Sequence, residues 1–342
     1  MNKTNSLLFV LALAGASAAW AEVRNPKPDW VDSQSVEYAQ DRYITGVGAG
    51  DDRSVAQDRA RAEISKVFSA NVKVDTTLTE SEINTGQGST TRNSFSQSIA
   101  QNVKTLSEKV LEGVQVVEHW QDNASRVHYA LAVLDRAKAR AGVIEKLKEF
   151  DKQAQEWKDQ LEKGGEKLAR AKAGMRLMTL LKARADLNGE LRVIEAAGRG
   201  LDSPLDEGAA KAAAAKAVSA LDVAVDMSGQ GSDEVETGLV RGLTALGLQA
   251  KVGAGRDPDI TVEGKMETAS LPGDGSKWKW ARSNVTVSVK DARTGKIVSR
   301  FDASDREASS SYEEAVRRSH VELAKRLSDK ISEAVTSYFE NN

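Results

Sequence analysis

Apolar positions along the chain change their period several times, and each change marks an expected element. Tyr43-Ile44-Thr45-Gly46-Val47-Gly48 reads as a short strand ending in a glycine turn. Behind it Val55, Ala56, Ala60, Ile64, Val67 and Phe68 fall three or four apart, the spacing of one helix face, with Asp51, Asp52 and Ser54 available as N-caps. Val72, Val74 and Leu78 alternate, which predicts a strand over 71–79, and the Gly/Ser/Thr-rich stretch 84–90 predicts a loop. Phe95, Ile99, Val103 and Leu106 return to helical spacing. The segments 114–120 and 126–134 form a hairpin around Asp122-Asn123-Ala124-Ser125, a register that sets Val116 opposite Leu131 and Trp120 opposite Val127.

The middle of the chain is helical and charged. A thin apolar line (Val143, Leu147, Phe150, Trp157, Leu161) runs to Gly164-Gly165, and a second helix over 166–187 carries Leu168, Met175, Leu177, Met178, Leu180 and Leu181. Two antiparallel helices turning at the double glycine would cover each other's stripes. Asn188-Gly189 predicts a break, followed by a short helix, a loop over 198–203 and an alanine-rich helix from Pro204 to Lys216. From Val218 onward the order is strand (221–227), helix (233–246), a short strand, then strands over 260–271, 278–290 and 296–303. A helix opened by the capping box Ser311-Tyr312-Glu313-Glu314 closes the chain, its stripe running through Ala315, Leu323, Leu327, Ile331, Val335 and Tyr338. The expected fold class is therefore α/β (α+β). Two small sheet-plus-helix domains, 22–136 and 217–342, are linked by a helical hairpin and connecting helices over 137–216.

Residues 1–21 read as a secretory signal peptide: Lys3 gives the positive start, Leu7 to Ala14 the apolar core, and Ala19-Trp20-Ala21 the small residues a signal peptidase needs. That core is far shorter than the roughly 20 residues a membrane span requires. Cleavage after Ala21 would leave a periplasmic chain starting at Glu22. The sequence has no cysteine, so neither disulfides nor a lipid-bearing cysteine are available. Removing Lys3, the one charged residue of that segment, moves the net charge from −2 to −3. Such a balance argues against nucleic acid as a partner.

Candidate chemistry is sparse. Gly46, Gly48 and Gly50 do not satisfy G-x-G-x-x-G, and no Gly-Lys-Ser/Thr follows, so no nucleotide cofactor is expected. His119 and His128 can meet across the hairpin, but two ligands make a poor metal site, and they read as an exposed pair; His320 shows no evident partner. No nucleophile elbow or Ser-x-x-Lys set is present, and the carboxylates are interleaved with cations, as in Glu145/Lys148/Glu149/Lys152. An acid pair assembled only in space would not show in spacing. The expectation is a non-catalytic protein without cofactor or metal. Trp278 and Trp280, two apart on a strand, point to one side and could stack a sugar ring or contact a partner; burial against a helix is the ordinary alternative.

Pro28-Asp29-Trp30, Tyr43 to Gly48, the Ala56/Ala60/Ala62 helix and the 114–134 hairpin together resemble the LPP-twenty family of bacterial envelope lipoproteins over roughly residues 23–141. That family's domain is similar in turn to the N-terminal domain of flagellar assembly protein T. Family members commonly carry a lipobox cysteine, and this chain has Ala-Trp-Ala before Glu22 instead. Val285 to Val289, Asp291 to Gly295 and the final helix give the C-terminal unit a likeness to the curli-secretion, penicillin-binding-protein-activator and TolB N-terminal group. Both resemblances imply a non-catalytic accessory or assembly protein that docks on other envelope proteins or forms homo-oligomers. The alternative is a binding module for peptidoglycan or exported polysaccharide.

Overall fold

The computed structural model describes residues 26–80, 94–253, 257–271 and 277–341. The signal segment with Ala19 and Ala21, and the 84–90 loop, lie outside them. The architecture is mixed α/β, with two sheets and helices packed on them.

The first sheet has the order β1-β3-β2, formed by β1 (Tyr43–Gly50), β2 (Gln115–Gln121) and β3 (His128–Asp135), all antiparallel. Gly46, Gly48 and Gly50 are not a turn at a strand end but strand residues on the face that meets helix α1 (Arg53–Glu80). A Cβ on Gly48 would stand 2.2 Å from the carbonyl oxygen of Ala56, and one on Gly46 2.5 Å from that of Ala60. The glycines therefore let helix backbone lie directly on strand backbone. Helix α1 begins at a cap, Asp52 Oδ1 accepting from Val55 N at 2.9 Å. Its inward stripe is Ala56, Ala60, Ile64 and Phe68, whereas Val55 and Val67 are exposed. The helix runs on through 71–79, where a strand was expected. No Gly or Pro interrupts it, and a short alternation of β-branched residues does not stop a helix already propagating.

The β2–β3 hairpin also differs from the expected register. Its connection spans 122–127: Asp122 N donates to Val127 O, Arg126 N to Asp122 O, and the Asp122 carboxylate accepts from Ala124 N and Ser125 Oγ. Arg126 takes φ 63° to complete it. The longer loop shifts pairing so that Trp120 faces Tyr129, and a bulge between Val116 and Glu118 then sets Val116 opposite Ala132 and Glu118 opposite Leu131. Both faces of β3 are buried. Ala130, Ala132 and Leu134 pack toward α1, while Leu131 and Val133 join Trp30 and Trp120 on the other side. Trp30, in a 3-10 turn (Asp29–Val31), is 2% exposed and donates from Nε1 to Glu118 Oε2 at 2.6 Å.

Helix α2 (Ser94–Glu112) precedes the hairpin, and α3 (Arg136–Glu162) follows it, capped by Asp135. The chain reverses at Gly164 and Gly165, φ 80° and 113°, into α4 (Lys167–Ile194). That helix does not break at Asn188-Gly189. Leu187, Leu191 and Ile194 are all fully buried, and Asn188 Oδ1 accepts from Leu201 N, so packing overrides the local turn preference. Helix α5 (Glu207–Ser219) starts at Asp206, whose carboxylate accepts from Ala209 N, rather than at Pro204. One continuous core joins the first sheet to α3, α4 and α5. Inside it Arg184 pairs with Asp151 and Glu207 and donates to Leu201 O.

The second sheet has the order β5-β4-β6-β7-β8: β4 (Asp222–Ser228), β5 (Gln249–Val252), β6 (Ile260–Leu271), β7 (Lys279–Asp291) and β8 (Ile297–Ser309). β4 runs parallel to β5 and β6, and the rest is antiparallel. α6 (Ser232–Ala245) and α7 (Tyr312–Asn341) cover one face, burying Val223, Val225, Val262, Val285, Val287 and Val289 beneath Leu239, Leu243, Leu323, Leu327 and Ile331. Ser311 caps α7 through Glu314 N, while the Glu314 side chain turns to Arg317 and Arg318 instead of closing the capping box.

Candidate binding surface

The alternation of β7 decides what faces solvent. Ala281, Ser283, Val285, Val287 and Val289 point under the helices and are buried; Trp280, Arg282, Asn284, Thr286, Ser288 and Lys290 point the other way. The pairing places Leu271 and Ala308 beside Trp280, Ala269 and Arg306 beside Arg282, and Glu267 and Ser304 beside Asn284. Among the described residues no helix covers this face, and its exposed residues are mostly polar, as expected for an antiparallel sheet with one wet side.

Trp278 stands just before β7 and is 55% exposed, so burial in a core is not its fate. Trp280 is half-buried on the open face, where the Arg306 guanidinium lies over its ring, 4.3 Å from the centroid. The two indoles therefore do not form a bare platform. Arg282 and Arg306, directly opposed, were not singled out from the sequence. Their meeting depends on the β7–β8 register, whose local signals are the Asp291 to Gly295 turn and the alternation leading from Trp280.

His119 and His128 do come together: Nε2 of the first lies 3.0 Å from Nδ1 of the second, although their backbones pair with Ala130 and Gln121. Burial, then the nearby Arg53, then His128 push the His119 pKa down, which favours the neutral donor–acceptor pair. Among the described residues no group of three or more His, Asp or Glu side chains is placed to hold a metal. His320 has the partner its sequence position concealed, Thr268 Oγ1 at 3.1 Å, and that hydroxyl lies 3.1 Å from Ser283 Oγ. Burial lowers its pKa against the opposing pull of Glu234. On α3, Glu149 pairs with Lys146, a neighbour other than the lysines read from spacing.

Two concavities are larger than the rest of those described. A cleft of about 800 Å³ at one end of the second sheet is charged but internally paired: Lys167 with Asp259 (3.1 Å) and Asp222, Lys290 with Glu263 (2.5 Å), and Arg293 with Glu166. A cleft of about 500 Å³ with a mixed lining lies where β3 outruns β2, between Tyr38, Leu106, Val117 and Leu134 with Lys109, Asp135 and Lys138 beside them. Between the two sheets, Arg176 of α4 is sandwiched by Phe95 and Trp157, at 5.2 and 4.7 Å, and donates to the Glu340 carbonyl of α7. The Glu340 carboxylate accepts from Ser96 Oγ at 2.9 Å.

The fold is thus that of a mixed α/β protein with a closed small sheet and an open larger one. Residues 28–135, the lead-in, first sheet, α1 and α2, match the family model of the LPP20 lipoproteins. No curated protein matches the chain. Among solved structures, a secreted protein of the human pathogen Helicobacter pylori aligns at 12% identity and a TM-score of 0.42, covering 85% of this chain and 97% of that one. A minor lipoprotein of Acinetobacter baumannii aligns at 16% identity and a TM-score of 0.26, over 34% of this chain and 91% of that one. A putative lipoprotein of Caulobacter crescentus aligns at 14% identity and a TM-score of 0.25, over 34% and 92%. The match over 28–135, and not these loose superpositions, relates the chain to envelope lipoproteins. Among the described residues no helix is long and apolar enough to cross a membrane. The expected likeness of the C-terminal unit to the TolB N-terminal group has no counterpart in these matches.

Proposed function

We propose that this is a non-catalytic accessory or assembly protein of the bacterial envelope, exported to the periplasm and acting through contacts with other envelope proteins or with copies of itself. The observation that carries the reading is the family match over the first sheet and its helices. It is supported by the way that segment is joined to a second, larger sheet: the α4–α7–α2 contacts at Arg176, Ser96 and Glu340 hold the two sheets in one arrangement while the larger one keeps a face in solvent. A chain of this kind suits bridging better than turnover.

Chemical cross-linking in intact cells, followed by mass spectrometry of the tagged protein, tests this. A discrete adduct with an envelope protein, or a homo-oligomeric ladder, is the expected result. A monomer that stays unlinked in the periplasm while the purified chain turns over a substrate would sink the proposal.

A further inference from the structure

Two arginines directly opposite each other on neighbouring strands are an unfavourable choice, because like charges across a ladder repel. Arg282 and Arg306 make that pair on the open face of the second sheet. Among the described residues neither forms an ion pair, although anions stand on the same face. Two acids on that face are already engaged: Glu267 with Lys265 at 2.7 Å, and Asp302 with the Thr286 hydroxyl at 2.6 Å. Arg306 is further held against the Trp280 ring, which orients the guanidinium and leaves its edge donors free of the ring face. A guanidinium fixed this way loses little freedom when it takes an oxyanion in two parallel hydrogen bonds.

We infer that Arg282 and Arg306, with the exposed indole of Trp278 just before β7, form a binding site for a carboxylate-bearing saccharide, a uronic-acid-type polymer of the envelope. The arginine pair takes the carboxylate, and the indole supplies the apolar face on which a pyranose ring lies. The row beyond, Asn284 with Ser304, offers neutral hydrogen-bonding groups of the kind that read sugar hydroxyls. Overall charge separates this from a densely phosphorylated ligand. The chain is net −2, and the patch has two opposed cations and not a basic stripe, so a polymer with one charge per sugar suits it better than a polyphosphate or nucleic acid. Long strands, 12 and 13 residues, give an extended chain room to lie along them. This goes beyond the proposed scaffold role and uses a different surface, so the cross-linking experiment and the one below fail independently.

The test is calorimetric titration of the full-length exported protein with trigalacturonate, against maltotriose as the neutral analogue and polyphosphate as the phosphate arm. Trigalacturonate binds and maltotriose does not. Arg282→Ala and Arg306→Ala each weaken binding roughly tenfold or more, the usual loss for a charged hydrogen-bonding group. Arg300→Ala, an exposed arginine on the same strand and face, leaves it intact. All four proteins should melt together, since these side chains are exposed. Absence of trigalacturonate binding to the wild type overturns the inference. So does an equal loss in Arg300→Ala, which would mean diffuse attraction, or tighter binding of polyphosphate through the same two arginines. An unchanged affinity in Trp278→Ala overturns the saccharide assignment, because the anion alone would then be recognised.

Discussion

The two sheets solve the same packing problem in opposite ways. The three-stranded sheet is closed: α1 lies on its glycine face, and the lead-in with Trp30 covers the other, so both sides of β3 are buried. The five-stranded sheet is covered once, by α6 and α7, and leaves a polar face wet. In the first, side chains were removed so that backbone could meet backbone; in the second, the outward positions hold arginine, lysine, asparagine and tryptophan. Substitution in the closed sheet should therefore cost stability, whereas substitution on the open face of the larger sheet should change the proposed binding and leave stability nearly intact.

Breaking the closed sheet should have the largest effect. Trp30→Ala removes a fully packed indole and leaves Glu118 without its donor, and we expect a loss of about 4 kcal/mol in chemical denaturation. Gly48→Val comes next. Its side chain would collide with the Ala56 carbonyl and neighbouring α1 backbone, which cannot retreat like a flexible side-chain tip, for a loss of about 3 kcal/mol. Beside the open face, by contrast, Trp278→Ala should change the unfolding free energy by no more than about 0.5 kcal/mol in the same measurement. A large loss there would dissolve the contrast.

Acidity sharpens the comparison by a sign. The folded pKa of His119 and of His320 lies below the usual 6.5, so folding favours their neutral forms. Their stability contribution is present above pH 6.5 and declines as pH falls below it through the folded values. His119→Phe should flatten part of that slope in melts taken between pH 7 and pH 5. Glu190 behaves in reverse. Burial raises its pKa above 4.5, with Ser107 as the opposing hydrogen-bond donor, so its contribution is full below pH 4.5 and is lost as pH rises through the folded value. Glu190→Gln should raise the melting temperature at pH 8 and leave it nearly unchanged at pH 4.

Most of this architecture was legible along the chain. Where apolar stripes were long and had clear ends, as in α3, α7 and β6, the periodic reading and the structure agree within a few residues, because burial of one face dominates local preference. Two of the differences share a cause: at the glycines of β1 and at Asn188-Gly189 in α4, tertiary contact overrides local chemistry. Over 71–79 a helix already propagating overrides a short alternation. The hairpin register failed for a narrower reason: a carboxylate-closed loop and a bulge add residues that alternation alone cannot count. Trp278 and Trp280 were visible as candidates, but Arg282 and Arg306 become neighbours only once strands separated by a turn are aligned.

The tie between Glu340 and Ser96 has a practical consequence for anyone handling the protein. A helix that closes one half of the molecule also fastens the other half, so shortening the chain before Phe339 would strip a fully buried ring from the second core and free Arg176 from its carbonyl in one cut. An affinity handle placed directly after α7 would sit next to a latch, and a long spacer, or a handle elsewhere, would keep it shut.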